Sequence, residues 1–132
     1  MDRSVVLCPL DHLQEGTAVG FDPFNSGRTT VFAMVYRGEV RIYRNSCPHL
    51  DVPLEYRKDR FLSADRERVI CYAHGAQFMP DTGLCVHGPC LGNSLTALEY
   101  KCEANLILLS IDSLGRPIEV SRTAIGRIRG LD

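Results

Sequence analysis

An all-β, largely antiparallel fold with little helix is what this sequence predicts, on three observations. Short apolar runs, often carrying β-branched residues, recur between turn signals. Glycines fall at the joints between neighbouring runs, where a hairpin needs a positive φ angle. No stretch keeps a helical apolar period for three turns.

The predicted elements follow in order. Residues 5–7 form the first strand, and residues 10–15 allow one short helical turn. The runs 30–36 and 40–43 read as two strands joined through Arg37-Gly38-Glu39. Residues 54–68 are crowded with charge (Glu55, Arg57, Lys58, Asp59, Arg60, Asp65, Arg66, Glu67, Arg68), which predicts an exposed loop with a brief strand at Phe61 and Leu62. Strands at 68–71 and 84–86 come next, with Asp81-Thr82-Gly83 as the turn before the second. Runs at 95–99 and 106–111 complete the set. After Gly115 the tail carries Arg116, Arg122, Arg127 and Arg129 with little patterning, so one domain is expected over 1–115 and an extended or loosely docked tail over 116–132.

A chain of 132 residues, 45% hydrophobic and 23% charged, is large enough for one domain with a single adequate core. Fifteen Lys and Arg stand against 16 Asp and Glu, for a formal charge of -1. No global field then favours nucleic acid or an anionic membrane surface. The first apolar run, 5–10, is too short for a secretory signal or a membrane span, and a cytoplasmic protein is the expectation. Without a signal, the six Cys point to thiols or metal ligands before disulfides.

Three of the four His residues follow a Cys closely, in Cys47-Pro48-His49, Cys71-Tyr72-Ala73-His74 and Cys85-Val86-His87. A shuffled chain of this composition would hold about 0.2 Cys-x-His pairs, so the clustering is a metal-ligand signal. Twenty-one residues, 50 to 70, separate His49 of the Cys47-Pro48-His49-Leu50 motif from Cys71 of Cys71-x-x-His74-Gly75. That order resembles the paired ligand loops of Rieske proteins, and His74-Gly75-Ala76-Gln77-Phe78, the Asp81-Thr82-Gly83 turn and Gly88-Pro89 resemble the strand, hairpin and proline loop that enclose a Rieske cluster. Upstream, Leu13, Glu15-Gly16, the hairpin at Gly38 and Tyr43-Arg44-Asn45 also match. The resemblance covers roughly residues 4–111.

It implies a Rieske-type (ISP domain) β-sandwich or barrel with two cluster-binding loops and one 2Fe-2S cluster. Cys47 and Cys71 would hold one iron, and His49 and His74 the other. Neutral imidazoles in place of thiolates leave such a site less negative and more ready to accept an electron. High-potential members place Ser two residues and Tyr four residues after the second His, whose hydroxyls donate to cluster and ligand sulfur. Ala76 and Phe78 stand there, which predicts a potential in the lower part of the Rieske range. Cys90 is expected near the cluster, and Cys8 and Cys102 as core thiols.

The function implied is a one-electron carrier that is not itself an enzyme: a ferredoxin working between a flavin-dependent reductase and a terminal oxygenase or similar redox enzyme. An oxygenase would need its own mononuclear iron site, and the four ligands leave only His12 and His87. Respiratory members carry a membrane anchor and an extra Cys in each ligand loop; Val52 and Ala73 hold those places, so neither clamp nor anchor is expected. Three alternatives stay open: a redox-sensing iron-sulfur interaction module, the small subunit of a nitrite-reductase-like complex, and a structural zinc site of Cys71, His74, Cys85 and His87. The charged 54–68 segment is longer than in the oxygenase ferredoxins it resembles. It reads either as a partner contact through Arg57, Lys58 and Arg60 or as a solvated loop.

Overall fold

The computed structural model describes residues 4–48, 52–55 and 59–110. The tail at 116–132 and the domain boundary after 115 lie outside them. Among the described residues, nine short strands pair antiparallel into three sheets of three. The first sheet joins β1 (Ser4–Pro9), β9 (Leu106–Ser110) and β8 (Tyr100–Glu103). The second joins β2 (Ala18–Phe21), β3 (Val31–Tyr36) and β4 (Glu39–Arg44). The third joins β5 (Val69–Cys71), β6 (Ala76–Phe78) and β7 (Cys85–His87). The expected short helical turn is a 3-10 turn at Leu10–His12.

β3 explains why the second sheet is central. Its sequence is apolar at every position because both faces are covered. Phe32, Met34 and Tyr36 enter one core, which extends through Phe61, Phe78, Cys47 and Cys71. Val31, Ala33 and Val35 face a second core with Val40, Ile42, Ile107 and Leu109. Strand alternation thus makes the β3–β4 hairpin the wall between a scaffold core and the core beneath the ligand loops. Its turn, Arg37-Gly38, has both residues at positive φ, 53° and 81°, as a two-residue hairpin requires. The Glu15 carboxylate accepts both turn N–H groups, at 2.7 and 2.8 Å.

Three expectations change. Residues 95–99 lie against β4 through one bridge, Tyr43↔Ala97, and bonds from Arg44 N–H to Thr96 O and from Leu98 N–H to Ile42 O, without becoming a strand. β2 and β8 were not expected: Gly20 weakens the first signal, and polar Lys101 and Glu103 mask the second until Tyr100 and Cys102 are paired with β9. The charged segment is only partly a solvated loop. Its exposed crest spans residues 64–67, but Leu54 and Phe61 are fully buried, and Phe61 stacks on Phe32 with ring centroids 4.3 Å apart. The brief strand expected there reduces to a single bridge, Leu62↔Val69.

Candidate metal centre

Two loops and a third segment converge on the core of Phe32, Phe61 and Phe78. The first loop leaves the end of β4. Cys47 is fully buried, and its N–H donates to Val52 O at 2.8 Å, closing the loop at its base. Asn45, itself buried, is the clamp. Its Oδ1 accepts the Leu54 N–H at 2.9 Å, and its Nδ2 donates to Thr29 O at 3.0 Å and to Glu55 Oε1 at 2.7 Å. His49 falls within this loop but outside the described residues, as do Arg57 and Lys58; Arg60 is exposed.

The second loop connects β5 to β6. Cys71 pairs with Ala76 across it, and the Gly75 N–H donates to Cys71 O at 2.7 Å. Cys71 is fully buried, while His74 at the tip is exposed. The two loops are joined by the Tyr72 N–H, which donates to Leu54 O at 3.0 Å. Leu54 therefore receives Asn45 on one side and serves the second loop on the other.

The third segment follows β7 and carries Gly88-Pro89-Cys90. A Cβ on Gly88 would stand 2.7 Å from Ala76 Cα, and its φ is 107°, so only glycine lets this segment pass so close over β6. Cys90 is buried beneath it, with its thiol toward Cys85 at 3.2 Å and beside Cys47.

The electrostatics suit soft-metal ligation. Burial pushes the Cys71 thiol above its ordinary value, and the neighbouring Cys47 sulfur adds to this; the backbone N–H groups of His74 and Ala73 point at its sulfur and pull the other way. Such donors stabilise a thiolate once a metal has displaced the proton. Burial, then Cys85 and Cys47, push Cys90 to about 12.

Three of the four expected ligands, Cys47, Cys71 and His74, lie among the described residues. Cys47 and Cys71 are brought together in the buried floor, and His74 stands at the rim. Cys90 lies beside them as expected, Cys8 is a buried thiol of the scaffold core, and Cys102 packs at that core's edge, half-buried. The zinc set fares differently. Cys71, His74, Cys85 and His87 are all described, yet no three His, Cys, Asp or Glu side chains among the described residues group for a single ion. His87 is exposed, and the Cys85 sulfur faces Cys90 and His87 O. A 2Fe-2S cluster makes no such demand, because two thiolates bind one iron and two imidazoles the other. Buried adjacent thiols with backbone donors, and an imidazole at the surface, fit that group. The clamping role of Asn45 was not read from the sequence, where the residue stands two places before Cys47.

The Rieske [2Fe-2S] domain family matches residues 3–111. No curated protein matches the chain. Among solved structures, the ferredoxin of carbazole 1,9a-dioxygenase from Nocardioides aromaticivorans IC177 is 24% identical with a TM-score of 0.60, over 80% of this chain and 95% of its own. A Sphingomonas yanoikuyae B1 ferredoxin is 19% identical with a TM-score of 0.60, over 82% and 98%. A chain from a complex of reduced oxygenase and oxidised ferredoxin in carbazole 1,9a-dioxygenase is 17% identical with a TM-score of 0.64, over 88% and 96%. No helix among the described residues is long and apolar enough to cross a membrane.

Proposed function

The chain belongs to the Rieske [2Fe-2S] domain family, and from that premise we propose that it is a ferredoxin-like carrier holding one cluster on Cys47, Cys71, His49 and His74. The bound 2Fe-2S cluster supplies a centre that takes up and releases one electron. The observation that carries the reading is the division of the ligands by depth, with Cys47 and Cys71 fully buried and His74 exposed. The two thiols hold the inner side out of water, under backbone donors from Ala73 and His74 that stabilise negative charge. His74 offers a short path between the inside of the site and a docked partner. Asn45 and Leu54 keep the two ligand loops in register, so that little has to move on electron transfer.

The partners proposed are a flavin-dependent reductase as donor and a terminal oxygenase or similar enzyme as acceptor, with the carrier acting in the cytoplasm. Support comes from the likeness to ferredoxins of a dioxygenase system. Apolar side chains exposed on and around the ligand-loop sheet, Tyr72, Leu84, Val86 and Leu91, are what a transient protein contact uses. His12 and His87 are the remaining imidazoles, and a carrier needs no second iron site. We place the domain at 1–115 and treat 116–132 as an appendage to it.

The test is metal analysis of purified, anaerobically reconstituted protein, where about two irons and two acid-labile sulfides per chain are expected. His49→Ala abolishes the cluster spectrum, and His87→Ala leaves it nearly intact. Colourless protein holding one zinc, lost on His87→Ala and kept on His49→Ala, overturns the reading.

A further inference from the structure

Cys85 and Cys90 belong to neither ligand pair, yet their sulfurs stand 3.2 Å apart, with the Cys90 S–H directed at Cys85. Both residues are only 2% exposed. The backbone that carries them is fixed by four hydrogen bonds. Leu91 N–H donates to Gly88 O at 3.2 Å, Asn93 N–H to Cys90 O at 2.9 Å, Gly92 N–H to Cys85 O at 3.3 Å, and Cys85 N–H to Asn93 O at 2.8 Å. A disulfide bond is about 2.05 Å long, so a closure of roughly 1 Å joins the two sulfurs within a preorganised turn. The residues around them, Pro89, Leu91, Gly92 and Asn93, are all exposed.

We propose that Cys85 and Cys90 form a dithiol site, oxidised by hydrogen peroxide to an internal disulfide, lying against the ligand residue Cys47. Cys85, which accepts the Cys90 S–H, attacks one peroxide oxygen. The O–O bond breaks, one water leaves, and Cys85 becomes a sulfenic acid. Cys90 then attacks that sulfur, its S–H bond breaks, the S–S bond forms and the hydroxyl departs as a second water. The thiol pair has given two electrons to the peroxide, and both thiol protons end in water. Hydrogen peroxide is the two-electron oxidant that the step consumes, and both of its oxygens leave as water.

Because Cys90 also borders Cys47, oxidation removes thiol hydrogens beside a ligand sulfur. This consequence rests on the carrier reading; the disulfide does not. Joining Cys90 to Cys85 changes the polar surroundings of that ligand sulfur, so the midpoint potential shifts.

The experiment is stepwise hydrogen peroxide treatment of the reconstituted full chain, followed by denaturing alkylation and peptide mass mapping, with iron measured on the same samples. The expected result is loss of two hydrogens and two alkylations at Cys85 and Cys90, reversed by dithiothreitol, while Cys8 and Cys102 stay fully alkylated. Cys85→Ser and Cys90→Ser each block the bond. Equal alkylation of Cys85, Cys90 and Cys8 throughout the titration overturns the proposal, as does a Cys47-to-Cys90 linkage in its place. A reversible 85-to-90 bond in protein that takes up no iron sustains the dithiol and overturns the carrier reading. With the cluster retained, an unchanged midpoint after oxidation overturns the coupling to Cys47.

Discussion

β3 and β4 pair over six consecutive positions, from Val31↔Arg44 to Tyr36↔Glu39, around a two-residue turn. β6 and β7 share only two, Gln77↔His87 and Phe78↔Cys85, with an irregularity between them. The first hairpin is held by a regular ladder and by apolar contacts on both faces. The second is held by its surroundings. Met79 N–H bonds to Leu84 O, Leu95 N–H to Gly83 O and Cys85 N–H to Asn93 O, and the Tyr43 hydroxyl reaches from β4 to Pro80 O at 2.8 Å. Regular pairing leaves no backbone free to wrap a ligand, so the site is built where the ladder is short, and the long hairpin beneath supplies the rigidity.

The comparison breaks most visibly at Phe61, which the charged segment lends to the core under the site. Phe61→Ala removes the ring stacked on Phe32 and is expected to cost about 3–5 kcal/mol of global stability. Urea unfolding should show a lower midpoint at unchanged slope. A loss within about 0.5 kcal/mol would return the whole segment to the status of a solvated loop.

A smaller effect is expected at Asn45, where the two regions meet. Asn45→Ala leaves the buried Leu54 N–H without its acceptor, at about 1–3 kcal/mol. If the regions differ as described, the damage is local. Amide exchange should quicken at Cys47, Leu54 and Tyr72 while the β3–β4 amides keep their protection. Uniform acceleration across both hairpins would show that the ladder and the ligand loops open as one unit.

How much was legible in the sequence follows the same divide. The β3 and β4 runs and their glycine turn are local signals, and pairing confirmed them because both faces of the hairpin are buried. The candidate ligand loops rest on Cys and His spacing, a property of the chain and not of the packing. What stayed hidden is tertiary. β8 becomes a strand through its partner β9, residues 95–99 stop short of one beside β4, and Phe61 is drawn from a charged segment onto Phe32. The contact of Cys85 with Cys90 was hidden for the same reason, since the glycines at 88 and 92 signal turns but not which residue the loop brings back onto residue 85.

The smallest effect sharpens the account of the site itself. Phe78 and Ala76 lie fully buried on β6, where related high-potential proteins carry hydroxyl donors to cluster and ligand sulfur. Reduction adds negative charge, so a donor stabilises the reduced form more than the oxidised one, and its absence lowers the potential. Phe78→Tyr adds a hydroxyl at the end of a ring whose position the core already fixes. A bond contributing about 1 kcal/mol of differential stabilisation raises the midpoint by roughly 40 mV for a one-electron couple. Ala76→Ser is the harder substitution, because the glycine-dependent passage of Gly88 over Ala76 leaves the new Oγ few directions. Protein-film voltammetry should therefore find the larger upward shift in Phe78→Tyr. A wild-type midpoint near the top of the Rieske range, about +300 mV, would mean that other donors already occupy the sulfurs. The backbone N–H groups of Ala73 and His74, which point at the Cys71 sulfur, would be the first to examine.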